Sequence, residues 1–219
     1  MQDVTSKPRP PRLTRQERRR LTREQLLVSA REVFEERGFA DSSLEEIAER
    51  AGFTRKAVYS NFSGKAELLL EIVERRFQSH IDQVEAIIGE GPAGRQALDL
   101  GAVFSAYFSR ERAWEMLFFE FCSVASRDEE IGRRFRARFR ESKRAITRLV
   151  EQETEKRGVE LTMPPERFVN GVFALFSGIS LEKLIDPART DDALFGEMLG
   201  MIAAGVLAPG RRASGREAR

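Results

Sequence analysis

The chain is poor in the residues that most often carry chemistry. Its 219 residues include one cysteine, Cys122, and one histidine, His80. A lone cysteine excludes an intramolecular disulfide and fits a reducing cytoplasm. One histidine beside one cysteine also argues against a Cys/His metal site. No apolar run reaches about 18 residues, the length that suggests a bilayer-spanning helix. The stretch MQDVTSKPRPPRLTRQERRR has no apolar core or cleavage-like site, so it does not read as a secretory signal. Ser63-Gly64-Lys65 lacks the Gly-x4-Gly-Lys spacing of a phosphate loop, and no strand precedes it. His80 reads as a surface or inter-domain residue rather than a general base. Cys122 lies on an apolar helix face, where it reads as a structural thiol. No catalytic set, metal or cofactor is expected.

Net charge is nearly absent too, at +2, but it is unevenly spread. Residues 1–23 hold eight Lys/Arg against Asp3 and Glu17, and residues 208–219 hold four Arg against Glu217. The chain between them is therefore acidic. Both ends carry Pro, Gly or Ser with few apolar groups and read as disordered, 1–21 as a basic arm and 208–219 as a basic tail. Such ends serve as solubilising extensions, or the first follows a phosphate backbone beside the first helix.

Helical periodicity is abundant. From Thr22 to Gly38 apolar residues recur at Leu26, Leu27, Ala30, Val33 and Phe34, with Thr22 and Gln25 as a capping box. Ser43 and Glu46 open a second helix that ends near Gly52. Thr54 caps a third from Arg55 to about Asn61, and Ser63 a fourth from Lys65 towards Ile88. No stretch alternates for long enough to demand a strand, so the fold class is all-α. Helices two and three, joined through Gly52-Phe53, form a helix-turn-helix. Leu44, Ile47, Val58 and Phe62 are expected to pack on Leu27, Ala30 and Phe34.

With Val58 facing inward, Arg55, Lys56, Tyr59 and Ser60 lie on or near the open side of the third helix. Cations are poorly placed at a helix amino end, which already carries partial positive charge. The pair Arg55-Lys56 therefore suggests an external anion. Arginine reads guanine in the major groove, and Lys56 suits a base edge or a phosphate. Tyr59 and Asn61 are donors to phosphate, and Ser42, Ser43 and Lys65 sit at helix starts that favour anions.

Residues 22–70 resemble the DNA-binding region of the tetracycline-repressor (TetR) family of transcriptional regulators. The resemblance rests on Ala30…Phe34…Gly38, Ser42-Ser43, Ile47-Ala48, Ala51-Gly52, Tyr59…Phe62, and Lys65 followed by Leu68-Leu69. It implies a three-helix DNA-binding head over 22–65 and a helical effector-binding and dimerisation domain over 66–207. Base contacts are implied for Arg55, Lys56 and Ala57, and backbone contacts for Ser43, Tyr59, Asn61 and Lys65, with Thr54 beside them. The implied protein is a cytoplasmic homodimer that represses from a palindromic operator and leaves it when a small molecule binds. Two departures stand out. Asn61 replaces the histidine of many relatives, and Lys56 stands where many carry a small residue, so the operator is not transferable from a relative. A nucleoid-type DNA binder without an effector is the alternative.

Eleven of the sixteen phenylalanines lie between Phe104 and Phe195. Two helices meet near Arg110, followed by one from about Glu129 to Lys156. Phe104, Tyr107, Phe108, Trp114, Phe118, Phe121, Cys122 and Phe176 are either ordinary core or the lining of an apolar effector pocket. The last two helices, about Pro165–Ile185 and Asp191–Leu207, are apolar on more than one face. They are expected to form a dimer interface unless buried within the subunit.

Overall fold

The computed structural model describes residues 14–88, 103, 112–191 and 193–209. The described part is almost wholly helical. In order it comprises α1 (Arg15–Asp41), α2 (Leu44–Arg50), α3 (Arg55–Tyr59), α4 (Lys65–Ile88), α5 (Arg112–Arg127), α6 (Glu129–Arg157), β1 (Val159–Leu161), α7 (Pro165–Ile185), α8 (Leu194–Val206) and β2 (Leu207–Pro209).

The first helix starts earlier than its apolar period suggests. Thr14 accepts from the Glu17 backbone, and the Glu17 side chain accepts from the Thr14 backbone, a complete capping box. Residues 15–21, expected in a disordered arm, are therefore helical, with Arg15, Arg18, Arg19 and Arg20 exposed. Their apolar period is missing because this part of the helix is exposed and buries no face against the described residues. Gly38 interrupts the helix as expected, at φ 76° and ψ 170°, and one more short turn follows to Asp41.

Caps set the next starts. Ser43 accepts from Glu46 N at the head of α2, and Thr54 from Ala57 N at the head of α3. Between them Gly52 adopts φ 72°, a left-handed conformation that a side chain would strain. Phe53 N closes the turn by donating to Ala48 O at 2.8 Å.

Leu27, Ala30, Phe34, Leu44, Ile47, Val58 and Phe62 are buried together, as the sequence suggests. Their cluster does not stop at the head. It continues without a break through Leu68, Leu69, Ile72 and Val73 of α4 to Trp114, Leu117 and Phe121 of α5 and Ile131 of α6. Each fully buried side chain of this size contributes about 1.5–3 kcal/mol, so head and carboxyl-terminal helices fold on one core. A second, smaller cluster joins Ile179 of α7 to Phe195 and Leu199 of α8.

Two short strands were not expected. β1 and β2 pair antiparallel, Val159 opposite Pro209 and Leu161 opposite Leu207. Three residues give no period to read, and the pairing joins segments far apart in the chain. By length and composition α7 would suffice to cross a bilayer. Its large side chains instead pack on α8 (Phe168, Val172 and Phe176), and Gly171, Ala174, Gly178, Leu181 and Ile185 lie exposed at spacings of three and four.

Candidate nucleic-acid interface and effector cavity

Arg23 fixes the head. Its guanidinium donates to Asn61 O at the end of α3, pairs with Glu71 of α4, and lies 4.0 Å from the centroid of the Phe62 ring. Three helices are tied by one planar cation that meets a carbonyl, a carboxylate and an aromatic face. Arg50 adds a bidentate pair to Glu36 at 2.6 and 2.7 Å, joining α2 to α1.

Held this way, α3 turns one face to solvent. Arg55 is exposed, with its side chain 61% accessible. It pairs with Glu45 of α2 at 2.6 Å and donates to the Tyr59 hydroxyl at 3.1 Å. Lys56 is exposed and has no partner among the described residues. Thr54 and Tyr59 are exposed, and Ala57 and Ser43 are half-buried. Arg55, Lys56 and Tyr59 thus form a cationic, hydrogen-bonding ridge of the size a major groove admits.

Three other residues expected at this interface are occupied within the protein. Ser42 is buried, and its hydroxyl donates to Phe39 O at 2.8 Å. Asn61 Nδ2 donates to Ala57 O at 2.8 Å and to Ser60 Oγ at 3.2 Å, closing the end of α3. Lys65 Nζ donates to the carbonyls of Phe39, Ala40 and Ser42 at 2.6, 3.0 and 2.8 Å. All three ammonium protons are used, and the cation holds the carbonyls that the kink at Gly38 leaves without helical partners. Burial pulls the Lys65 pKa below its usual value. Glu120 of α5 completes this knot, accepting from Phe39 N at 2.6 Å.

A cavity of about 220 Å³ lies between α4, α5, α6, α7, α8 and the strand pair. Trp114 and Phe118 of α5 and Phe176 of α7 line it, as the aromatic spacing suggests. Phe121 and Cys122 do not. Phe121 is fully buried against Phe135, ring centroids 5.2 Å apart, and belongs to the shared core. The Cys122 thiol is pushed up to about 11 by burial and by Glu115, so it is protonated and inert. Phe104, Tyr107 and Phe108 lie outside the described residues.

Sequence reasoning missed several lining residues: Phe77, His80, Ile81 and Val84 of α4, Phe139, Ile146 and Val150 of α6, and the charged Arg76, Glu115, Glu153 and Arg157. The period of α4 and α6 flagged these faces as apolar, but only packing separates a cavity wall from core. The His80 pKa is lowered to about 4, first by burial and then by the Arg76 cation, so the ring is neutral near pH 7. Among the described residues no cluster of His, Cys, Asp and Glu could hold a metal ion.

A helix-turn-helix that presents cations, fused through a continuous core to helices around an apolar cavity, defines a DNA-binding transcriptional regulator. Residues 26–72 match the bacterial regulatory proteins of the tetR family, and residues 95–207 match the carboxyl-terminal domain of BetI-type transcriptional repressors. The second match alone spans more than half of the chain. The protein belongs to the TetR family of transcriptional regulators.

Over 97 residues the chain is 37% identical to the HTH-type transcriptional activator FasR of Mycolicibacterium smegmatis, covering 44% of this chain and 42% of FasR. The chain aligns with less than half the length of such curated relatives. A TetR-family regulator from Mesorhizobium loti superposes with a TM-score of 0.70 at 19% identity, covering 88% of this chain and 96% of that one, which shows the fold alone. SmeT, the repressor of the Stenotrophomonas maltophilia multidrug efflux pump SmeDEF, superposes at 0.62 with 25% identity, covering 89% and 94%, and is also known as a complex with triclosan.

Proposed function

We propose that the protein is a cytoplasmic, ligand-responsive repressor that binds a palindromic operator as a two-fold homodimer and releases it when a small apolar or aromatic molecule fills the cavity. The observation that carries this reading is the outward ridge Arg55, Lys56 and Tyr59 on a helix-turn-helix whose core continues into the cavity wall. In the free protein Glu45 holds the Arg55 guanidinium. On DNA a guanine edge takes its place, a bidentate contact that discriminates by about 1–3 kcal/mol. Lys56 reaches a base edge or phosphate, Tyr59 and Thr54 reach phosphate oxygens, and Ser43 and Ala57 bring backbone close to the duplex. Asn61, Ser42 and Lys65 keep the head in shape.

The exposed stripe on α7, continued by Met201 and Ile202 of α8, packs against its copy in the partner. Glycine and alanine in the stripe let the helices approach closely. The dimer spaces its two reading heads about one duplex turn, roughly 34–36 Å. Release runs through α5. Its Trp114 and Phe118 meet the effector, and Glu120 on the same helix grips the backbone at the Gly38 kink of the head.

Genomic footprinting with the purified protein tests this reading. It should recover a two-fold site that Arg55→Ala binds more weakly and with relaxed preference at one position of each half-site, and light scattering should give twice the subunit mass. A protein that binds all duplexes alike, or a monomer at micromolar concentration, would refute it.

A further inference from the structure

The charge of the cavity wall limits the effector, provided that this cavity is the effector site. Among the described residues, two cations and two anions reach the wall: Arg76, Arg157, Glu115 and Glu153. Glu153 and Arg157 lie one turn apart on α6 and form an ion pair, their side chains only 14% and 24% exposed. Elsewhere on the wall Glu115 is 4% exposed, and Arg76 lies 5.8 Å from the Trp114 ring centroid. His80 lines the same region and is neutral, because burial and Arg76 both oppose a second cation there. The rest of the wall is aromatic, aliphatic or hydroxyl-bearing.

Such a wall holds no surplus charge to offer a guest. A carboxylate or ammonium placed beside Glu153 and Arg157 must stay uncompensated or break that pair, and both leave a desolvated charge without a partner. The cavity is also long. Its lining on α6 runs from Phe139 to Arg157, about 27 Å of helix axis at about 1.5 Å per residue. We propose that the cavity selects an uncharged, elongated and largely apolar effector, and that the Glu153–Arg157 pair is the element that rejects charged analogues.

The test uses the full chain and three probes on one rigid body: biphenyl methanol, biphenyl carboxylate and biphenyl trimethylammonium. Trp114, the sole tryptophan, reports binding by quenching, and release from operator DNA is read in parallel. The alcohol should bind at least about tenfold more tightly than either ion. Glu153→Gln leaves a surplus cation and should shift relative affinity towards the carboxylate by about tenfold. Arg157→Gln should shift it towards the ammonium by less, because Lys156 stays 3.8 Å from Glu153. A wild-type preference for either ion, or the same ranking in both variants, overturns the proposal while leaving the cavity as the effector site. A protein that binds its operator but whose Trp114 responds to none of the three overturns the effector-site reading, and the proposal with it.

Discussion

Replacing Lys65 with methionine keeps the apolar stem and removes the ammonium that holds Phe39, Ala40 and Ser42 carbonyls. A hydrogen bond to a charged group contributes about 1.5–3 kcal/mol net. The three share one half-buried cation, so they do not add, and ordering a lysine costs up to about 2 kcal/mol of side-chain entropy. The expected loss is about 2–4 kcal/mol, which lowers Tm by roughly 5–15 °C for a chain of this size. Operator affinity should fall only as far as the head loosens. The decisive reading is the salt dependence between about 50 and 200 mM, where each neutralised phosphate contributes a slope of about −0.9. Because all three protons point into the protein, Lys65→Met should leave that slope unchanged in urea-free buffer at 15 °C or another temperature well below the transition. A slope flattened by about 0.9 per head with stability unchanged would make Lys65 a phosphate ligand and refute the reasoning.

Other perturbations separate the parts. Glu45→Gln removes the carboxylate that pairs with Arg55 at 2.6 Å, so binding should tighten severalfold on every duplex, whereas Arg55→Ala should relax preference at one position of each half-site, as a panel of single-base operator variants would reveal. Glu120→Ala deletes the acceptor for Phe39 N. It should leave Trp114 quenching by effector intact while weakening release of DNA, and unchanged release would remove Glu120 from the coupling. His80 is the only histidine and its pKa is lowered to about 4 from the ordinary 6.5. As pH falls below 6.5 the unfolded chain takes up the proton first, so stability should drop by about 2 kcal/mol by pH 5 and stop changing from this source below about 4. Urea titrations of wild type and His80→Gln check this, the variant losing that slope. Leu181→Arg on the open stripe of α7 should yield a folded monomer by light scattering, and a persistent dimer would place the interface elsewhere.

Local chemistry wrote much of this protein into its sequence. Ser43 and Thr54 as caps, Gly52 in its turn, and the apolar period of each helix gave the head, because a cap and its amide lie within three residues. The outward ridge followed from Val58 pointing in. Tertiary structure alone decided what several polar residues do. Lys65 and Asn61 carry the groups that bind phosphate, and nothing near them in the chain shows that Lys65 is taken by carbonyls more than twenty residues away. The same holds for Glu120, which meets Phe39 across 81 positions, and for the three-residue strands that close the far end of the cavity. Aromatic spacing marked Trp114, Phe118 and Phe121 alike as apolar, and only packing set the first two on the wall and the third in the core. A side chain's type fixes which bonds it can make, whereas the partner that takes them is settled when distant segments come within about 3 Å.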